Sequence, residues 1–404
     1  MAKLIEITGK VLSGEWGTDD ETGNGIPVLR TTNFTNEGIV DYSNVVTRNI
    51  VKKGIEEKYL RNGDIIIEKS GGSDKQPVGR VIYFDGPERT YLFNNFTGLL
   101  RVKNQEKWHP RYVFYSLFSN YRSGGTRTFQ NKTTGLHNLK TDDYMSSFNV
   151  TENDIATQEA ICKKLDLVDG IIRMHQKQLQ KLDDLVKARF VELFGNPISN
   201  PMKWDTYQLE ECLERIDNGK SFICSDKPRV GDTPAILKLS AATYGDYRPN
   251  ENKALLDESL FVESAEVHAG DLLFTRKNTP ELVGTAAYVQ NTPSKLMMPD
   301  LIFRLVPNEK VNAVFLWQLI NCKEFRPVIQ AISGGSAKSM SNISKERLGK
   351  IKVICPPREL QDSLILFVEQ TDKSKVIEAI NKANTLFNIT LNGGNRYDIR
   401  ANEI

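Results

Sequence analysis

The chain has 404 residues, 39% hydrophobic and 26% charged, with a formal net charge of +2. That length exceeds one ordinary core, so two or three domains are expected, and the balance of apolar and charged residues excludes a disordered chain. No apolar run is long enough to span a bilayer, the N-terminus lacks the basic start and apolar core of a secretory leader, and the charge neither requires nor excludes a nucleic-acid partner. Cys162, Cys212, Cys224, Cys322 and Cys355 are scattered, with no C-x-x-C pair. This spacing points to reduced thiols in a cytoplasmic protein rather than a disulfide framework or zinc knuckle.

In chain order, "KLIEITGKVLSG" closes on Gly14 and "GNGIPVLRTTNFTNEG" surrounds Pro27. Gly63 opens "GDIIIEKSGGSDKQPVGRV", in which "DIIIE" and the following "RVIYF" read as strands, being β-branched runs bounded by glycine and polar turns. "HPRYVFYSLFSN" from His109 has helical apolar spacing at Val113, Phe114, Leu117 and Phe118. Ser123-Gly124-Gly125 and an extended "SSFNVT" complete the stretch.

From Thr151 to Gly195 the sequence reads as one long helix, with Thr151 as its cap in an approximate capping box with Asp154. Its apolar stripe runs through Ile161, Leu165, Val168, Ile172, Leu179, Leu182, Val186, Phe190 and Leu193 in steps of mostly three and four, with His175 in one seam position. Gly195 and Pro197 stop it. Some forty residues at 1.5 Å each give a spacer of roughly 60 Å.

The same phrases then return in the same order, at an offset near 205 residues. "QLEECLERIDNG" ends on Gly219, "GDTPAILKLSAATYGD" surrounds Pro234, and Gly270 opens "GDLLFTRKNTPELVGTAAY". "VNAVFLWQLINC" follows, then Ser333-Gly334-Gly335 and "KIKVIC". A second helix, "PPRELQDSLILFVEQTDKSKVIEAINKANTLFN", carries Leu360, Leu364, Phe367 and Val368 on its stripe and is expected to fray near "NKAN". Two amphipathic helices of this kind cover their stripes by pairing. An antiparallel pair would put a module at each end.

The fold class expected is therefore α+β: two similar α+β modules joined by two long helices forming an antiparallel coiled coil. The boundaries read as 1–150, a first spacer 151–195, a second module 196–357, a second spacer 358–390 and a tail 391–404.

Catalytic signatures are scarce. There is no phosphate-binding glycine loop and no metal-ligand spacing among His109, His137, His175 and His268. Asp64 and Glu68 beside Lys69 suggest a metal-dependent nuclease, but the second module replaces Glu68 with Thr275. A turn preceding a strand is the favoured explanation of Asp64 and Asp271, through bonds to nearby backbone amides. What varies between the modules is polar loops: residues 68–80 and "SGGTRTFQNKTTG" in the first, 276–285 and "SGGSAKSMSNIS" in the second. Their Lys, Arg, Asn, Ser and Gly suit a nucleic-acid groove. A duplicated scaffold with different loops suits a protein that reads two different short sequences. A stand-alone nuclease using Asp64 and Glu68, and a protein-interaction scaffold without DNA contact, are the competing readings.

The ordered, duplicated pattern resembles the specificity subunit of Type I DNA restriction-modification systems. The resemblance rests on "GIPVLRTTNF" with "DTPAILKLSA", on the Gly-Asp strands, on Ser-Gly-Gly, and on the helix starts "ATQEAICKKLDLVDGII" and "PPRELQDSLILFVEQTD". It implies two target recognition domains, each binding one half of a split site in double-stranded DNA. Carried over by position, the DNA-binding residues would be Lys69, Ser70, Lys75, Arg127 and Lys132, then Arg276, Lys277, Asn278, Lys338 and Ser339. The spacer stripe of Ile161, Leu165, Val168, Ile172, Leu179, Leu182, Val186, Leu360, Leu364 and Phe367 would set the gap and dock two methyltransferase subunits, and restriction subunits would join them. The chain itself would catalyse nothing and bind no cofactor or metal, with S-adenosylmethionine held by the methyltransferase. No membrane association is implied.

Overall fold

The computed structural model describes residues 1–73, 76–133, 136–334, 340–371 and 373–393. Lys75, Lys338, Ser339, the side chain of Lys132 and the tail beyond residue 393 lie outside the described residues. The chain divides into two compact units: Met1–Gln176 with Ile377–Ile404, and Lys177–Val376.

The first unit is organised by a triplet of isoleucines. Ile65, Ile66 and Ile67 are all fully buried, because the strand Ile65–Glu68 is covered on both faces. Alternate side chains take opposite sides of a pleated strand. Ile65 and Ile67 pack with Val113, Phe114, Leu117 and Phe118 of the helix Pro110–Arg122, while Ile66 packs with Leu29, Phe34 and Phe93. The strand lies third in an antiparallel sheet of order Leu12–Ser13, Thr97–Leu100, Ile65–Glu68, Val81–Tyr83. A second sheet contains Ile26–Leu29 paired parallel to Leu92–Phe93.

The second unit repeats this arrangement. Leu213–Asn218, Ile302–Pro307, Leu272–Thr275 and Ala286–Tyr288 form a sheet in the matching order. Leu272 and Phe274 face the helix Ala313–Asn321, and Leu273 faces Ala235 and Leu237. The parallel pair recurs as Ala235–Leu237 with Leu296–Met297. Each module also closes on itself: Ala2–Lys3 pairs with Asn149–Val150, and Asp205–Gln208 with Lys352–Cys355. Strands and helices do not alternate, so both units are α+β.

The first spacer is one helix, Ile155–Phe194, which contributes residues to both units. Its cap is Asp154 rather than Thr151: the Asp154 carboxylate accepts from the Thr157 amide (2.8 Å) and hydroxyl (2.7 Å). Gly195, at φ 72°, follows it. The second spacer consists of two helices, Arg358–Gln370 and Ser374–Gly393. Fraying at "NKAN" does not occur: Asn381 and Lys382 face solvent, while Ala383 and Phe387 still pack on the first unit's core. The interruption comes earlier, where Thr371 leaves helical geometry and its hydroxyl donates to the Val368 carbonyl at 2.9 Å.

Within the second unit the spacers run antiparallel. Arg189 lies over the Phe367 ring at 5.8 Å, and Asp183 is ion-paired with Lys373. Val186, Phe190 and Phe194 bury against Leu364 and Val368, with Leu193, Leu360 and Phe367 at the margin. In the first unit Cys162, Leu165, Val168 and Ile172 share a core with Phe387, and Ile161 packs at its edge. Leu179, Leu182 and His175 are half-buried.

One buried amide fixes each module to the start of its spacer. The Gln158 side chain donates to the carbonyls of Lys107 (2.9 Å) and Asn153 (2.8 Å) and accepts from the His109 amide (2.9 Å). Gln361 donates to Lys310 (2.9 Å) and Pro356 (2.8 Å) and accepts from the Asn312 amide (2.9 Å). Each residue of the second set lies 203 positions beyond its counterpart, as 361 does beyond 158. Replacing either glutamine by leucine keeps most of the volume but strands two carbonyls and an amide. Denaturant unfolding of Gln158→Leu and Gln361→Leu is expected to show losses of roughly 2–4 kcal/mol each, additive in the double variant.

Candidate nucleic-acid interface

The strand Ile65–Glu68 leads directly into the first polar loop. Gly63 enters it at φ 90°, and Asp64 accepts the Arg61 amide at 2.8 Å. The Asp64 carboxylate is also held by the Arg101 guanidinium through two bonds of 2.7 and 2.6 Å. In the second module Asp271 accepts the His268 amide at 2.9 Å and pairs with Arg304 at 3.0 Å. The strand-entry role expected for both aspartates holds, with an arginine partner that the sequence reading missed, Arg101 just past the end of the neighbouring strand and Arg304 within it.

Asp64 and Glu68 are not a metal pair. They stand four residues apart along one strand, about 13 Å at the usual rise. Asp64 is spent on Arg101 and Glu68 faces Arg80 at 3.6 Å. No cluster of three or more His, Cys, Asp or Glu able to hold a metal occurs among the described residues.

Glu68 and Arg80 form the base of the loop rather than its reading surface. The Glu68 amide donates to the Arg80 carbonyl at 2.8 Å, and Arg80 donates to the carbonyls of Phe34 and Thr31, both at 2.8 Å. In the second module Thr275 and Thr285 take these places. The Thr275 amide donates to the Thr285 carbonyl at 2.9 Å, and the two hydroxyls lie 2.9 Å apart. An ion pair in one copy is thus a hydroxyl pair in the other. Gly79 and Gly284 end the loops at φ 102° and 73°. A Cβ at either would fall within 2.7 Å of Thr126 or 2.2 Å of Ile329.

The structure brings the two polar segments of each module together. Ser70–Gly72 pairs with Leu136–Leu139, which pairs with Gln130–Thr133, the strand carrying Lys132. The Lys69 carbonyl accepts the Leu139 amide at 2.8 Å. Likewise Lys277–Asn278 pairs with Ser341–Asn342, and the Arg276 carbonyl accepts the Ile343 amide at 2.8 Å. Segments more than fifty residues apart become paired strands of one small sheet in each copy, three-stranded in the first and two-stranded in the second.

The side chains there differ in availability. Arg127 is exposed on the turn Arg127–Phe129. Lys69 and Ser70 are half-buried, and the Lys69 ammonium donates to the Ser13 hydroxyl at 2.7 Å. Burial, reinforced by nearby Lys58, holds the Lys69 pKa below its ordinary value. Arg276 is half-buried over the Phe303 ring at 4.8 Å and bonds Asn342 Oδ1, and Lys277 is half-buried. Asn278 is buried, its amide committed to the Thr243 hydroxyl (3.1 Å) and the Thr279 amide (2.9 Å). Lys58, beside Lys69, was not anticipated; a lysine 11 residues earlier, at the end of the 3-10 turn Ile55–Lys58, carries no sequence signal.

Burial pushes the Glu68 carboxyl up to about 7, against the opposing charge of Arg80. A carboxyl raised in the folded state favours folding while protonated, so its contribution falls as pH rises from about 4.5 to 7 and stays lost above. Glu68→Gln lacks this titration. Relative to wild type, its stability is expected to improve by about 1–3 kcal/mol between pH 5 and pH 8, read by denaturant unfolding across that range.

The family model described as Type I restriction modification DNA specificity domain matches residues 2–184 and 201–386. The chain is 32% identical over 175 residues to the type I restriction enzyme EcoEI specificity subunit of Escherichia coli, a match spanning 43% of this chain and 30% of that relative's length. It is 23% identical to the EcoKI specificity subunit of Escherichia coli (strain K12), covering 89% of this chain and 80% of that one. A crystal structure of a type I restriction-modification S subunit from M. genitalium has the same fold, at TM-score 0.55 and 12% identity over 96% of this chain and 94% of that chain. With the specificity domain matched twice along nearly its whole length, the chain belongs to the family of Type I restriction-modification DNA specificity subunits.

Proposed function

We propose that this chain is the sequence-reading subunit of a Type I restriction-modification complex, with each module reading one half of a bipartite duplex. The observation that carries this reading is the pairing of two distant polar segments in one small sheet, repeated on the same scaffold with different residues. A shared frame fixes where the loops stand, and their divergence lets the modules recognise different bases. Base contacts are assigned to Lys69, Ser70, Lys75, Arg127 and Lys132 in the first module. Those of the second are Arg276, Lys277, Lys338 and Ser339, with Asn278 shaping the loop from within.

Two methyltransferase subunits dock on the spacer helices, whose length sets the gap between half-sites. The outward-facing Leu167, Met174, Leu185 and Leu366 offer apolar surface for such contacts. S-adenosylmethionine belongs to those subunits and restriction subunits complete the complex, so this chain contributes recognition and no catalysis.

Two measurements test the proposal. The chain assembled with its methyltransferase is expected to bind its bipartite duplex with an affinity that falls steeply as salt rises, because Lys and Arg displace counterions from phosphates. Salt-insensitive binding would sink the reading. Exchanging residues 276–284 for the loop of another family member is expected to change one methylated half-site and leave the other and the gap intact, as mapped on host DNA. A change in both half-sites would refute the assignment of one module to each.

A further inference from the structure

The turn between the strands Leu92–Phe93 and Thr97–Leu100 holds an aromatic ring out in the open. Asn94 and Thr97 are buried, yet Phe96 between them is 48% exposed and Asn95 is exposed too. The turn is firmly made. The Asn94 amide donates to the Leu29 carbonyl at 2.9 Å, and the Thr97 amide (3.1 Å) and hydroxyl (2.9 Å) both donate to the Asn94 carbonyl. Gly14 fits under it, where a Cβ would come within 2.2 Å of the Phe93 and Asn94 carbonyls. An exposed ring on a preorganised turn binds without the entropy cost of ordering a loop.

Its position ties it to the reading loop. The Phe96 carbonyl accepts the amides of Lys69 (2.8 Å) and Ser70 (3.2 Å), the first residues after the central strand. Alongside, the Lys69 and Lys58 ammonium groups bond Ser13 at 2.7 Å each, and Lys52 and Lys58 share the Glu15 carboxylate. Two of these three ammonium groups share the Glu15 carboxylate and the third bonds only a hydroxyl, a balance that favours phosphate nearby. The second module keeps the frame and changes the tip. The Arg276 amide donates to the Leu301 carbonyl at 3.0 Å, and Gly219 lies under the Pro299 and Met298 carbonyls. Its tip is Asp300–Leu301, half-buried and without a ring.

We propose that this turn is a further reading element of the first module, and that Phe96 is a specificity-determining residue whose ring packs against a base of that module's half-site. The inference rests on the DNA-reading function proposed above. A ring beside lysines takes a base by stacking, by wedging at a base step or by contact with a thymine methyl group, while the lysines hold the flanking phosphates. The diverged tip gives the second module a different preference at the equivalent position.

The test uses the full chain assembled with its methyltransferase partner, the duplex defined by methylation mapping, and the same duplex with the first half-site scrambled. Phe96→Ala is expected to weaken cognate binding about tenfold while leaving the scrambled duplex unchanged, and Phe96→Tyr, which keeps the ring, to stay near wild type. Thermal unfolding of both variants should match wild type, since the side chain is exposed. Wild-type cognate affinity in Phe96→Ala overturns the proposal. So does an equal loss on both duplexes, which would mark a sequence-independent contact, or a loss of assembly with the methyltransferase, which would mark a protein contact. If the wild-type complex fails to distinguish the two duplexes, the DNA-reading function itself fails, an outcome visible before any variant is compared.

Discussion

Everything this molecule does with its loops depends on two buried glutamines. Gln158 and Gln361 are fully buried, and each bonds three backbone groups of its own module and spacer start. A buried amide with all these bonds made costs little, whereas one left partly unmade costs several times more. The geometry is therefore close to all-or-none. The module is held to its helix at one angle, and any displacement that lengthens one bond weakens all three. Each joint thus sets where a module's loops stand relative to the start of its own spacer.

Above that joint the two copies divide their sequence between frame and tip. The frame repeats down to individual groups: Asp64 with Arg101 and Asp271 with Arg304, Gly14 and Gly219 beneath the same turn, and parallel strand pairs at Val28–Leu92 and Ala235–Leu296. The exchange of Glu68 and Arg80 for Thr275 and Thr285 marks the border. Both pairs hold the ends of a loop together at the same backbone register, one by charge and one by hydroxyls. A chimaera carrying one member of each would bury a charge without its partner or a hydroxyl without its mate. Loops moved between the modules need both members of a base pair moved with them or both left in place.

Much of the frame was legible in the sequence because it is written twice. The Gly-Asp strands, the helices from Pro110 and Ala313, and the long first spacer follow from β-branched runs, helical spacing and a terminal glycine. The repeat also weakened the nuclease reading before any distance was known, since Glu68 and Thr275 align. What escaped were features that depend on the third dimension. Arg101 just past the end of a neighbouring strand and Arg304 within one are far along the chain, and nothing local connects them to their aspartates. Asn278 reads as an adenine contact by residue type but turns inward to Thr243. The second spacer breaks at Thr371 and stays helical through "NKAN", because the asparagine and lysine there fall on the wet face of the helix. Phe96 gave no signal at all, since a phenylalanine next to a strand reads as core until its exposure is seen.

The short ribbons that close each module, Ala2–Lys3 with Asn149–Val150 and Asp205–Gln208 with Lys352–Cys355, bring the chain in and out of a module at one place. A module built in this way is a cassette. A homologous module that keeps the two paired strands would enter and leave through the same pair of chain ends.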